Sequence, residues 1–379
     1  MRVMISCGEP SGDVYAGALA TEIRKLDPGA SISGFGSDRL RDAGADLVGD
    51  FHGLSVTGLL EVARLLPRVY GMYRRLVSHA KRTRPDVFVA IDFPDFNFVL
   101  ARAMKRLGVP VVYYISPQLW AWRRGRMATM KRIADRVLVI FPFEEAIYRE
   151  AQVPVEWVGH PLLDVTPAPE ARGEFRARHG LDREAPTVAL LPGSRRNEVS
   201  RILPRLVQAS ALIRYRLPAA QFVLARASHV PREMLADVQQ LQAAGATCAV
   251  VDGDADGVLA AADLALVASG TVTVQAALHE CPMVVVYRLS PVTYRLGKPF
   301  VHVRTYAMAN LVAGRTVVPE LIQDAFTPHA VAEEALKMLL DPARATSVRA
   351  ALREVRAKLG HPGASARAAR AVLDVARGN

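Results

Sequence analysis

The chain alternates short, continuous apolar runs with longer stretches in which apolar residues recur every three or four positions. Runs such as Val87–Ile91 and Thr187–Leu191 suit parallel strands covered on both faces, and the periodic stretches suit helices. Their alternation predicts parallel sheets with helices on both sides, an α/β chain. In the first half, strands are expected at Val3–Cys7, Ile32–Gly36, Val87–Ile91, Val109–Ile115 and Val137–Phe141. The second half restarts the pattern at Thr187–Leu191, Phe222–Ala225, Ala249–Val251, Ala262–Ala268 and Pro282–Arg288. Between the halves, Gly159-His160-Pro161 followed by Pro167, Pro169 and Gly173 reads as a connection. At 379 residues the chain exceeds what one core serves. The expected division is an N-terminal Rossmann-like domain over 1–165, a C-terminal one over 186–340, and helices over 341–379, with packing back on the first domain as an option.

One stretch departs from the plain α/β pattern. Leu59, Val62, Ala63, Leu66, Val69 or Tyr70, and Tyr73 recur at helical spacing, and Leu60, Leu65 and Met72 widen the apolar face. Pro67 is expected to kink or divide the helix. The basic run Arg74, Arg75, His79, Lys81, Arg82, Arg84 follows. A wide apolar face beside Arg and Lys is the pattern of an interfacial membrane helix, and an ordinary core-facing helix is the alternative. The net charge of +11 bears on the choice. Nucleic acid, an anionic leaflet or a phosphorylated ligand would each account for it. The arginines are spread through both halves without an RNP-like motif, zinc finger or basic tail, which disfavours nucleic acid. No secretory signal is expected, because Met1-Arg2 leads straight into a strand-like run. Cys7, Cys248 and Cys281 lack metal or disulfide spacing and read as core residues in a reducing cytoplasm.

The candidate chemistry lies just past the strand ends, where open α/β sheets bind ligands. Val87–Ile91 stops at Asp92, and Pro94 suits the first turn of a new helix. A carboxylate there can take a proton from a hydroxyl. Capping of the next helix by Asp92 or Asp95 is the alternative. Gly8-Glu9-Pro10-Ser11-Gly12-Asp13 is a close-approach loop whose carboxylates suit sugar hydroxyls better than phosphate. A tight turn with Ser11 or Asp13 as cap reads equally well. Trp120 and Trp122 beside Arg123, Arg124 and Arg126 can grip a sugar or an anionic head group, or simply pack a helix. Pro192-Gly193-Ser194-Arg195-Arg196 joins a strand, a turn, paired arginines and a helix start, a good diphosphate cradle. Ser269-Gly270-Thr271 is a second loop with backbone N–H groups expected to face outward. His160 at its turn ranks below Asp92 as a candidate.

Taken in order, the motifs resemble those of the lipid-A-disaccharide synthase family. They are Gly8-Glu9-Pro10-Ser11-Gly12-Asp13, Ile91-Asp92-x-Pro94-Asp95-Phe96-Asn97, Ser116-Pro117-x-x-Trp120-Ala121-Trp122, Leu190-Leu191-Pro192-Gly193-Ser194-Arg195, Ala268-Ser269-Gly270-Thr271, Asn310-Leu311 and Pro319-Glu320-Leu321-Ile322-Gln323. The resemblance implies a GT-B fold, two Rossmann-like doubly wound domains facing across a cleft, with no metal and no cofactor. It implies an inverting transfer from UDP-2,3-diacylglucosamine to 2,3-diacylglucosamine 1-phosphate, giving a β(1→6) disaccharide and UDP. Asp92 would be the base. Glu9, Ser11 and Asp13 would address sugar hydroxyls, and Arg195 with Ser269, Gly270 and Thr271 the leaving UDP. Asn310, Glu320 and Gln323 would complete the donor site. Acylated substrates imply a peripheral enzyme on the cytoplasmic face of the inner membrane, docked through Leu59, Leu60, Val62, Leu66, Val69 and Tyr70. The oligomeric state stays open, a homodimer included. Two positions depart from the family pattern: Gln275 stands where a ribose-binding Glu is usual, and Ala309 replaces a Pro before Asn310. Competing readings are another UDP-sugar GT-B enzyme, such as a lipid glycosyltransferase or a UDP-sugar 2-epimerase, and a non-catalytic lipid- or nucleotide-binding relative.

Overall fold

The computed structural model describes residues 1–51, 59–122, 124–290, 294–295 and 305–378, with backbone alone for 59–65, 121–122 and 124. The described residues fall into two compact units: Met1–Val165 with Leu359 onward, and the chain between Thr166 and Lys358. The first unit holds a seven-stranded sheet: β1 (Arg2–Ser6), β2 (Ser31–Gly36), β3 (Asp46–Asp50), β4 (Val87–Ile91), β5 (Val111–Tyr114), β6 (Arg136–Val139) and β7 (Val155–Trp157). Their order is β3-β2-β1-β4-β5-β6-β7, and every pairing is parallel. The second unit repeats the plan with β8 (Thr187–Leu191), β9 (Gln221–Arg226), β10 (Cys248–Asp252), β11 (Leu264–Ala268), β12 (Met283–Tyr287) and β13 (Glu320–Ile322), ordered β10-β9-β8-β11-β12-β13. Each sheet reverses its strand order once, at β1/β4 and at β8/β11. A crevice for a ligand opens at such a reversal, outside the carboxyl ends of the strands.

The central strands are where the apolar runs put them. β4 and β8 are buried at every position, as covering helices on both faces require. The three strands absent from the sequence reading, β3, β7 and β13, are all sheet edges. Their residues are half-buried or exposed, so they lack the continuous apolar run that marks a covered strand. All three cysteines are free and buried. Burial pushes the Cys248 and Cys281 thiols up to about 12.

The ends of the expected domains differ from the observed units. Residues 166–185 go with the second unit rather than forming a linker. Arg176 in the helix Arg172–Arg178 is 2% exposed, pairs with Asp263 at 2.9 Å and donates to the Ala261 carbonyl at 2.8 Å. Residues 341–379 divide. The helix Pro342–Lys358 packs within the second unit, against Val272–Leu278 and Met308–Ala313, and the helix Ala364–Arg377 lies on Pro10–Leu26 of the first. Asp164 fixes the latter, its carboxylate accepting from Gly363 N–H at 2.5 Å and Ser365 N–H at 2.7 Å at the start of that helix. The helix Leu59–Thr83 runs unbroken through Pro67, so the expected division does not occur.

Candidate functional site

After β4 the chain turns through two consecutive left-handed residues, with φ of +43° at Asp92 and +47° at Phe93. Neither is glycine, and such conformations cost roughly 1–3 kcal/mol each. The next helix, Pro94–Arg106, has Phe93 at its N-cap and Asp95 in its first turn. Asp95 pairs with Arg126 at 2.7 Å. Hydrogen bonds hold the strained turn from both sides. Asp92 N–H donates to the carbonyls of Tyr114 and Ile115 at 3.3 and 3.2 Å. Its carbonyl accepts from Tyr113 Oη at 2.9 Å and Asn97 Nδ2 at 2.8 Å. Asn97 is wholly buried. Its amide also donates to Ser6 O and Ile91 O, both at 3.2 Å, and its Oδ1 accepts from Ser6 Oγ at 2.7 Å. One side chain thus ties the end of β1 to the end of β4, where the strand order reverses. The half-buried Asp92 side chain is carried on that fixed turn.

The loop after β1 lies directly against this turn. A Cβ at Gly8 would stand 2.3 Å from the Phe93 ring, so only glycine permits the approach. Glu9 occupies the N-cap of the helix Pro10–Leu26 and, like Ser11, is half-buried. Asp13 departs from the expectation that it addresses a sugar. Its buried carboxylate accepts from the N–H groups of Ser37 at 2.7 Å and Arg39 at 2.9 Å, at the start of the helix Asp38–Asp42. It caps that helix across space.

A second carboxyl group sits close to Asp92. Glu144, 1% exposed in the first turn of the helix Pro142–Glu150, accepts from Trp120 Nε1 at 3.1 Å and from Phe141 N–H at 3.4 Å. Burial pushes its carboxyl up to about 7, and the nearby Asp92 charge adds to the rise against the opposing hydrogen bonds. Trp120 in turn meets Phe143 edge-on at 5.1 Å. Beside them Ser116 Oγ and Tyr148 Oη share a hydrogen bond. Sequence reasoning missed Glu144. The available signal was Phe141-Pro142-Phe143-Glu144, a proline and an acid in the first helical turn directly after β6. His160 is a core residue: its Nδ1 accepts from Leu162 N–H at 3.2 Å, and burial pushes its pKa down to about 3.

In the second unit, Arg195 stands at the N-cap of the helix Arg196–Arg216 after β8. Its guanidinium pairs with Glu198 at 3.1 Å, and Glu198 also accepts from Arg195 N–H and from Tyr287 Oη. At the β11 end, Ser269 N–H donates to Val286 O at 3.0 Å and its hydroxyl to Tyr306 O at 3.1 Å. Ser269 therefore does not present its N–H outward as expected, whereas Gly270 and Thr271 are exposed. Gln275 Nε2 donates to Asp256 at 3.2 Å, and His279 Nε2 meets the other oxygen of that carboxylate at 2.9 Å. A carboxylate thus stands beside position 275, supplied by a neighbouring helix, which sequence reasoning did not find.

Asn310 and Glu320 form a scaffold instead of an open donor wall. Glu320 accepts from Tyr306 N–H at 2.7 Å, Ala307 N–H at 3.0 Å and Asn310 Nδ2 at 2.7 Å. The amide oxygen of buried Asn310 accepts from Val317 and Val318 N–H. Both side chains serve the start of the helix Met308–Ala313 and the loop behind it. Gln323 differs: its backbone is left-handed, and its buried Nε2 has no hydrogen-bond partner among the described residues. On the helix Leu59–Thr83, Leu66 and Tyr70 are 57% and 61% exposed and Val69 is half-buried. The side chains of Leu59, Leu60 and Val62 lie outside the described residues.

Comparison with known proteins covers the whole chain. The family model described as lipid-A-disaccharide synthetase matches residues 3–375. A lipid-A-disaccharide synthase of Myxococcus xanthus is 42% identical over 374 residues, covering 99% of this chain and 97% of that protein. One of Koribacter versatilis is 44% identical over 382 residues, with 100% and 99% covered. Among solved structures, UDP-GlcNAc 2-epimerase of Neisseria meningitidis bound to UDP-GlcNAc superposes with a TM-score of 0.71 at 12% identity, covering 100% of each chain. The calicheamicin glycosyltransferase does so at 0.60 and 17%, covering 100% of this chain and 98% of its own. At such identities these two are likenesses of fold. The paired Rossmann-like sheets are the GT-B architecture.

Proposed function

The chain belongs to the lipid-A-disaccharide synthase family, glycosyltransferases of lipid A biosynthesis that use a UDP-sugar and a lipid acceptor, and on that premise we propose how its residues carry the reaction. The donor is UDP-2,3-diacylglucosamine and the acceptor 2,3-diacylglucosamine 1-phosphate. The acceptor's 6-hydroxyl oxygen attacks the anomeric carbon of the donor from the face opposite the diphosphate. The new C–O bond forms as the bond to the diphosphate breaks, so configuration inverts. The hydroxyl proton passes to Asp92, and the bonding pair leaves with UDP. Arg195 and the loop Ser269-Gly270-Thr271 stabilise the charge that develops on the diphosphate. Glu9 and Ser11 contact sugar hydroxyls, and Gln275 with Asp256 faces the ribose.

The observation that carries this reading is the strained, doubly bracketed turn at Asp92, on the carboxyl end of β4 where the strand order reverses. Strain at a site so firmly held is a mark of function rather than of folding. Support for a membrane-surface enzyme comes from the helix Leu59–Thr83. It buries Leu76 and Ala80 and leaves Leu66 and Tyr70 exposed beside the exposed Arg68, Arg74, Arg75, Lys81 and Arg82. No described helix is long and apolar enough to cross a membrane. The test is a mass-detected turnover assay with both acylated substrates, run beside Asp92→Asn. Disaccharide and UDP from the wild type alone are expected. Epimerised donor without disaccharide would overturn the reading.

A further inference from the structure

The second unit holds three guanidinium groups that make no ion pair among the described residues. Arg201 and Arg205 stand four residues apart on the helix Arg196–Arg216, and Arg288 directly follows β12. All three are half-buried. Their hydrogen bonds go to backbone carbonyls: Arg201 to Asn197 O at 3.4 Å, Arg205 to Arg201 O at 2.9 Å, Arg288 to Gln323 O at 3.3 Å. The acids near them in sequence are engaged elsewhere or stand apart. Glu198 is held by Arg195 and Tyr287, and Glu320 by Tyr306, Ala307 and Asn310. Asp324 is exposed and makes no ion pair among the described residues. Arg205 lies over the Phe326 ring, 6.0 Å from its centre. Partial burial, and then the charge of Arg288, disfavour its protonated form.

An independent observation marks the same corner. Gln323 is 7% exposed and its Nε2 is a buried donor without a partner among the described residues. Its own backbone carbonyl receives the Arg288 bond, which places residue 323 beside that guanidinium. Its left-handed φ of +56° holds this residue, which is not a glycine, in a costly conformation. Like charges drawn partly out of water form an arrangement that an anion would relieve. The planar fork of arginine suits phosphate oxygens best.

We propose that Arg201, Arg205 and Arg288 form a phosphate-binding site on the second unit, beside the Arg195 and Ser269-Gly270-Thr271 loops that serve the donor diphosphate and separate from them in function. The phosphate is either that of a phospholipid head group or that of a phosphorylated substrate. The site stands whether or not the assignment of Asp92 does, because it uses no residue of that unit.

The full chain is titrated calorimetrically with inorganic phosphate and, separately, with UDP, beside Arg205→Gln, Arg288→Gln and Arg205→Lys. Phosphate affinity is expected to fall about ten-fold or more in the Gln variants and less in the Lys variant, while UDP affinity is retained. Thermal unfolding checks that each variant is folded, and Arg205→Lys keeps the test alive if a Gln variant is not. Two arms separate the sources. Weaker binding of the Gln variants to phosphatidylglycerol vesicles, with phosphatidylcholine as control, identifies a head group. A raised KM for the 1-phosphorylated acceptor at unchanged vesicle binding identifies a substrate phosphate. Unchanged phosphate affinity in both Gln variants overturns the site. A parallel loss of UDP affinity also overturns it, since the guanidiniums would then belong to the nucleotide site. A wild type that binds phosphate but forms no disaccharide would count against the proposed reaction alone.

Discussion

Asn97 Nδ2 lies 2.8 Å from the carbonyl oxygen of Asp92, and through Ser6 the same amide holds the neighbouring strand end. The two residues are five apart, yet the bond crosses from the buried first turn of a helix to a left-handed turn before it. Without it, three carbonyl oxygens lose a donor and the strained φ at Asp92 loses one of its restraints. Asn97→Ala should therefore lower stability by roughly 1–3 kcal/mol and lower kcat with little change in KM. Asn97→Asp should do worse, because a carboxylate would face those oxygens with no proton to donate. Steady-state kinetics with urea unfolding separates the effects. An unchanged kcat in a folded variant would show that Asp92 needs no such bracket.

Asp92→Asn removes the proton acceptor and keeps the shape. Turnover should fall by about 10²–10⁴, while calorimetric UDP affinity stays at the wild-type value, since Asp92 belongs to the first unit and the residues assigned to UDP to the second. Near-normal turnover would exclude Asp92 as base.

Glu144 makes stability depend on pH in a definite direction. Its carboxyl is raised from an ordinary 4.5 to about 7, so the folded state holds a proton that the unfolded chain releases. The contribution is fully present below about 4.5 and is lost as pH rises through about 7. Over that window the fold should lose ~3 kcal/mol from this group, and Glu144→Gln should flatten the slope. Urea midpoints at intervals from about pH 4 to about pH 8 would measure it. Equal slopes in both proteins would mean that folding does not raise the Glu144 carboxyl.

The covered strands and the loops after them were legible because burial on both faces writes a continuous apolar run. Asp92, Arg195 and Ser269 follow such runs and lie at or beside the two points of strand reversal. Edge strands such as β3 and β13 carry no such run and were not legible. Several polar candidates share one arrangement. Asp13, Asn310 and Glu320 read as ligand contacts, yet each is committed to backbone N–H groups near the start of a helix or in a loop. A carboxylate that caps across space has no sequence spacing to reveal it, unlike a local cap. Glu144 and Asp256 were hidden for the same reason, since their partners Trp120 and Gln275 lie on other elements.

The helix Leu59–Thr83 offers a test in which fold and membrane binding separate cleanly. Met72, Leu76 and Ala80 form its inward face; the Met72 thioether lies so close to Gly49 of β3 that a Cβ there would meet it at 2.3 Å. Leu66 and Tyr70 are exposed, and the Tyr70 and Tyr73 rings stack with centres 6.3 Å apart. An apolar side chain that enters the lipid boundary contributes roughly 1.5–3 kcal/mol, about a ten-fold or greater change in affinity for each one. Leu66→Ser with Tyr70→Ser should therefore weaken binding to anionic vesicles by about a hundred-fold or more and leave the unfolding midpoint near the wild type. Leu76→Ser should instead destabilise the first unit, because its side chain is fully buried. Vesicle sedimentation alongside thermal unfolding reads both. If the double variant unfolds early and still binds vesicles, the exposed face is a packing surface and the enzyme reaches its lipids another way.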